Sequence, residues 1–186
     1  RESLTMANRR LSSIQPASFA FNAENLTWID KLMARYPADR TASAIIPMLW
    51  RAQEQDGWIS EACIRWTAER CGLTYVRVYE IVTFYTMFHL APVGRTHVQV
   101  CGTTPCMLRG AGDLIEICKS RIAKTQKKVT EDGQFSWEEV ECLGACVNAP
   151  LTGVTSLRPA SLDGSTPTSV HAYAAGTQYL SASIPT

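Results

Sequence analysis

The chain has 186 residues, 46% of them hydrophobic, enough to bury a core in one large domain or two small ones. Its 18 Lys and Arg stand against 17 Asp and Glu for a net charge of +1, so no global field draws it to nucleic acid or to an anionic bilayer. No apolar run approaches the roughly 18 to 20 residues that cross a membrane, and the longest candidate, Ile81 to Leu90, is interrupted by Thr83, Thr86 and His89.

Residues 1–20 read as an N-terminal extension without an apolar secretory core. Asn22 then caps a predicted helix from Ala23 to Tyr36, in which Leu26, Ile29, Leu32 or Met33, and Tyr36 recur at helical spacing before Pro37. A second helix follows Thr41, with Ile45, Ile46, Leu49, Trp50 and Ala52 on one side, Pro47 either near its first turn or kinking it, and Asp56-Gly57 closing it. Ser60 caps a third, carrying Ile64, Thr67, Ala68 and Cys71 on one face and ending at Gly72. A fourth starts at Thr74 and presents Val78, Ile81, Val82, Tyr85 and Phe88. These four make a small helical bundle over 21–92, and its aromatic residues are expected mainly in the core.

Beyond Gly94 the pattern changes. Thr96 to Val100 alternates as a strand ending on Cys101, Cys106 to Ile122 has helical spacing, Asp132-Gly133 marks a turn, and Trp137 to Glu141 is a second strand leading into Cys142. Strand, helix, turn and strand predict an α/β domain over 93–150, so the fold class is α+β with the helical bundle first. From Leu151 the composition shifts to Ser, Thr, Ala, Gly and Pro, and Val154 to Leu157 and Val170 to Tyr173 are the two strand candidates in this tail of uncertain structure, 151–186.

Seven cysteines, an odd number in a chain without a secretory segment, argue against a disulfide scaffold and for a reducing compartment. Four of them form two close pairs: C-x4-C at Cys101 and Cys106, then about 35 residues, then C-x3-C at Cys142 and Cys146. Two such pairs make a four-thiolate site if their loops meet, each pair chelating one iron of a [2Fe-2S] cluster. Gly102 and Gly144 let backbone amides approach sulfur, Thr103 and Thr104 offer hydroxyls, and a helix starting at Cys106 would add its dipole. Spacing alone also admits a structural zinc. Cys63, Cys71 and Cys118 lie on helix faces as small buried hydrophobes, and His89, His97 and His171 have no spaced partner ligand. Lys124, Lys127 and Lys128 form a solvated loop, and no Gly-rich dinucleotide loop or nucleophile and base set is present, so the catalytic set is empty.

Val100-Cys-Gly-Thr-Thr-Pro-Cys-Met-Leu-Arg109 and Val140-Glu-Cys-Leu-Gly-Ala-Cys-Val-Asn-Ala-Pro150 resemble the signature of the 24 kDa [2Fe-2S] subunit family of respiratory complex I. Upstream, Arg51 to Trp58 and Val78 to Phe88 resemble that family's helical domain, so the likeness runs from about Phe21 to Pro150. The family's acidic Tyr-Glu-Asp-Leu-Thr stretch and closing helix are not recognisable after Pro150. The resemblance implies a thioredoxin-like ferredoxin domain, with Cys101, Cys106, Cys142 and Cys146 as ligands of the [2Fe-2S] cluster. It implies an electron-transfer subunit of NADH:ubiquinone oxidoreductase whose partner is the larger flavoprotein holding FMN and the NADH site, alongside other peripheral-arm subunits. Its place would be peripheral to the inner membrane, on the mitochondrial matrix or bacterial cytoplasmic side, without membrane insertion and without nucleic acid. Related subunits of an NAD-dependent hydrogenase or formate dehydrogenase, and a stand-alone thioredoxin-like ferredoxin, are the alternatives of the same cluster type.

Overall fold

The computed structural model describes residues 9–156 and 170–174 and divides into two compact units, Arg1–Pro92 and Val93–Thr186. The first unit is helical: α1 (Ala23–Met33), α2 (Ile45–Asp56), α3 (Glu61–Cys71) and α4 (Tyr75–Phe84), with a 3-10 helix at Ala38–Ala44 leading into α2. Asn22 accepts from the Asn25 amide at 2.8 Å and Ser60 from the Cys63 amide at 3.2 Å, each satisfying a donor that the first helical turn leaves without a partner. Gly57 (φ 82) and Gly72 (φ 65) end α2 and α3 in the left-handed region that glycine enters without steric cost. Ile29, Met48, Leu49, Ile59, Ile64, Val78, Val82 and Phe88 are fully buried and form the core of this unit.

Three expectations shift here. α1 stops at Met33 rather than Tyr36, and Leu26 is 40% exposed. Asn25 takes the inward place beside it, donating through its side chain to Gln55 at 3.0 Å, because a buried amide with a partner costs little. α2 begins only at Ile45, which puts Pro47 among the first residues of the helix, where an N-H has no intrahelical acceptor to lose. α4 ends at Phe84, with Tyr85 extended, so Phe88 reaches the core from a turn while Phe84 is 77% exposed.

The end of α4 is held from far away in sequence. Arg9 donates to the carbonyls of Thr83 (3.1 Å), in the last turn of α4, and of Tyr85 (2.7 Å) and Phe88, in the segment just after it. Nearby, Ser12 N donates to Leu90 O at 2.9 Å and Gln15 accepts from the Glu61 amide at 2.8 Å. Arg9→Ala is expected to destabilise the helical unit by about 1–2 kcal/mol, since hydrogen bonds from a charged donor exceed neutral ones. Urea unfolding followed by circular dichroism checks it, and an unchanged midpoint would refute it.

The second unit is a four-stranded sheet in the order β2-β1-β3-β4, built from β1 (Thr96–Cys101), β2 (Phe135–Val140), β3 (Leu151–Ser156) and β4 (Val170–Ala174). β1 and β2 are parallel, with Val98 opposite Trp137, while β3 runs antiparallel to both β1 and β4. The crossover from β1 to β2 carries α5 (Thr104–Leu108) and α6 (Ala111–Arg121). One continuous helix from Cys106 to Ile122 was expected; Gly110 (φ 100) breaks it in two. α6 lays Ala111, Leu114, Ile115 and Cys118 against Val98, Val100 and fully buried Trp137, whose Nε1 donates to Ala123 O at 2.7 Å. Both strand candidates of the tail are present, β3 starting earlier than expected at Leu151, directly after the cis Ala149–Pro150 peptide. Residues 157–169 and 175–186 lie outside the described part. Among the described residues no helix is long and apolar enough to cross a membrane.

Candidate functional site

β1 delivers Cys101 at its last position, α5 carries Cys106 one turn later, and the loop after β2 carries Cys142 and Cys146, the latter opening a 3-10 turn at Cys146–Asn148. Because β1 and β2 are parallel and in register from Thr96 opposite Phe135 to Cys101 opposite Val140, their C-terminal ends come together. That alignment brings the two halves of the motif to one edge of the sheet.

The four thiols gather there as two pairs. Cys101 and Cys106 are buried and Cys142 and Cys146 exposed, and Cys101 bears on the titration of Cys106 as Cys142 does on that of Cys146. Between pairs the influence is through charge, Cys101 on Cys146 and Cys146 on Cys106. Among the described residues no three cysteine sulfurs lie mutually within 4.8 Å. A single tetrahedral zinc with bonds of about 2.3 Å would draw all four sulfurs to about 3.8 Å from one another. Two chelating pairs set apart suit two irons better.

Polar groups surround the sulfurs. Cys101 Sγ lies 3.1 Å from Thr103 Oγ1 and donates to Glu141 O at 3.5 Å, the Gly144 amide donates to Cys142 Sγ at 3.3 Å, and the Leu143 and Leu151 amides reach Cys101 and Cys106. Burial alone would raise the Cys101 thiol, but Thr103, Cys106 and the Leu143 amide outweigh it and bring it down to about 7. Burial and the neighbouring Cys101 push Cys106 up, and the hydrogen bond and charge of Cys142 push Cys146 up.

Gly144, at φ 78 with its amide on Cys142 Sγ, and Thr103 act as the sequence predicts, whereas the Gly102 amide turns to Val140 O instead of to sulfur. The helix dipole does not act as predicted either: α5 has five residues and Cys106 is its third, not its first. Sequence reasoning missed the amides of Leu143 and Leu151, main-chain groups that any side chain would offer. Cys63, Cys71 and Cys118 are buried away from the site in the two cores. Burial pushes Cys63 up to about 12 and Cys118 up to about 11, and raises Cys71, so all three stay protonated. His97 is held by Ser136 and Glu138, away from the four thiols of the motif.

Known proteins share this sequence pattern. The family of thioredoxin-like [2Fe-2S] ferredoxins matches residues 29–170. The first E-type subunit of the NADH-quinone oxidoreductase of Rhizobium meliloti is 58% identical over 149 residues, 78% of this chain and 54% of that protein. The E-type subunit of the NADH-quinone oxidoreductase of Rickettsia typhi is 45% identical over 138 residues, 74% of this chain and 81% of that protein. Mitochondrial NADH dehydrogenase [ubiquinone] flavoprotein 2 of Dictyostelium discoideum is 48% identical over 134 residues, 72% and 54% of the two chains. The chain thus spans about half the length of the Rhizobium and Dictyostelium relatives and most of the Rickettsia one. With the motif, the sheet that aligns it and these likenesses in agreement, the chain belongs to the thioredoxin-like [2Fe-2S] ferredoxin family, among the E-type, or 24 kDa, subunits of NADH-quinone oxidoreductases.

Proposed function

We propose that this chain is the [2Fe-2S] electron-transfer subunit of the NADH dehydrogenase module of respiratory complex I, with Cys101, Cys106, Cys142 and Cys146 as the four ligands. The observation that carries the reading is the pairing of these thiols at the aligned ends of β1 and β2. When bound, the cluster supplies one-electron redox chemistry.

The residues divide the work. Cys101 and Cys106 anchor the buried side, where the sheet and α6 exclude water. Cys142 and Cys146 hold the exposed side on a loop whose Gly144 amide faces sulfur. Thr103 and the amides of Leu143 and Leu151 offer donors to sulfur, which favours the added negative charge of a reduced site. Val147, next in sequence to Cys146, is 95% exposed, and Leu108 on α5, two residues after Cys106, is 81% exposed, apolar side chains suited to protein contact. The partner is the larger flavoprotein subunit, whose FMN exchanges single electrons with this chain and which itself holds NADH. The assembly is peripheral to the membrane, on the matrix or bacterial cytoplasmic side.

The test is spectroscopy of the purified chain. A red-brown protein with two irons and two sulfides, EPR-silent as isolated and giving a spin-half signal after dithionite, is the expected result. A colourless protein holding one zinc would overturn the ligand reading. Co-purification at one-to-one stoichiometry with an FMN protein is expected, and a cluster-bearing monomer with no such partner would favour a free ferredoxin instead.

A further inference from the structure

β1 ends beside β2, and Gly102, the residue after Cys101, donates its amide to Val140 O at 2.8 Å. On β2, Glu139 lies opposite Val100, and its own amide is fixed by Gln126 Oε1 at 3.0 Å. Its side chain folds over Gly102. A Cβ on Gly102 would stand 2.2 Å from Glu139 Oε1 and 2.9 Å from its Cγ and Cδ, so only a glycine leaves room for the carboxylate in that seat. Among the described residues no Lys, Arg or His pairs with Glu139, whereas its neighbour Glu138 is engaged with His97 and Lys127.

We propose that Glu139 is a tuning residue for the site, its carboxylate seated on Gly102 so that a negative charge sits next to Cys101 and holds the reduction potential down. The inference rests on the four-cysteine reading above. Its physical basis is Coulombic: reduction adds one negative charge, and a fixed carboxylate nearby makes that addition less favourable, to a degree that solvent and salt reduce at an exposed position. Thr103, at 3.1 Å from Cys101 Sγ, acts in the opposite sense as a hydroxyl donor to sulfur. Cys101 therefore lies between a group that favours reduction and one that opposes it, and Gly102 is the small residue that admits the second.

The experiment is an EPR-monitored redox titration of the full chain with its cluster. Glu139→Gln, which keeps shape and loses charge, is expected to raise the potential: at the wild-type midpoint the ratio of reduced to oxidised cluster rises about threefold to tenfold, tenfold being about 59 mV for one electron. The rise shrinks at 1 M salt. Gly102→Ala, whose methyl evicts the carboxylate, shifts the potential the same way, and the double variant shifts no further than Glu139→Gln alone. Glu131→Gln, a charge loss elsewhere on the surface, leaves the midpoint in place. An intact cluster signal with an unmoved midpoint in Glu139→Gln overturns the inference while leaving the ligand reading standing, as does full additivity in the double variant. A wild-type chain that takes up no [2Fe-2S] cluster overturns both.

Discussion

Alanine at Cys101, Cys106, Cys142 or Cys146 is expected to strip most of the bound iron, whereas alanine at Cys63, Cys71 or Cys118 leaves it bound. Each iron of a two-iron cluster takes two protein thiolates, so removal of one opens that iron to water and the pair cannot close around it. The three other thiols cannot substitute. Cys63 and Cys71 belong to the helical core and Cys118 to the face of α6 that covers the sheet, and burial keeps all three protonated. Their truncation costs only packing, about 1 kcal/mol each, close to the value of one buried methylene. Iron per chain, measured after gel filtration, together with the visible absorbance of the cluster, separates the two sets. Equal losses in both would refute the ligand assignment, and so would full retention in any of the first four.

The cysteine pairs were legible because each is local. Four or three intervening residues bring two thiols to one loop whatever the rest of the chain does, and a strand on the N-terminal side of each pair places both at strand ends. Caps are equally local, which is why Ser60, Gly72 and Asn22 marked helix ends correctly. What could not be read depends on distant partners. α4 stops at Phe84 where Arg9, 74 residues upstream of Thr83, supplies donors to its last carbonyls, and nothing in the local periodicity around Phe88 signals that. β3 is short of apolar alternation, with Thr152, Gly153 and Thr155 in its run, and it takes its place from pairing with β1 rather than from its own pattern. Glu139 over Gly102 is of the same kind: two ordinary residues 37 positions apart that only the parallel register sets together. The helix break at Gly110 is different, since the glycine is visible; helical spacing on both sides of it masked the interruption.

On the opposite face of the strands from Val98 and Trp137, Glu138 holds a polar cluster together, and Glu138→Gln is expected to destabilise the chain by about 2–3 kcal/mol at pH 7. Only 6% of Glu138 is exposed. His97 Nε2 lies 3.2 Å from Glu138 Oε1, Gln99 Nε2 donates to the same oxygen at 3.0 Å, and Lys127 Nζ stands 3.4 Å from Oε2, while Ser136 Oγ fixes the other His97 nitrogen at 2.7 Å. Burial alone would raise this carboxyl, but the hydrogen bond and charge of His97, then Gln99 and Lys127, outweigh it and hold it at about 2. A carboxyl held below its ordinary 4.5 stabilises the fold while it is ionised in both states. Its contribution is therefore complete above about pH 4.5, declines as the pH falls from there toward about 2, and is gone below, where native and unfolded chains are both protonated. The glutamine variant lacks the charge at every pH, so the stability gap between it and wild type should be widest and flat from pH 5 to 7 and should close between pH 4.5 and 2. Urea unfolding at a series of pH values measures the gap directly. A gap that stays constant down to pH 2 would mean that the shape of Glu138, not its charge, carries the effect, and that the pairing with His97 and Lys127 contributes nothing.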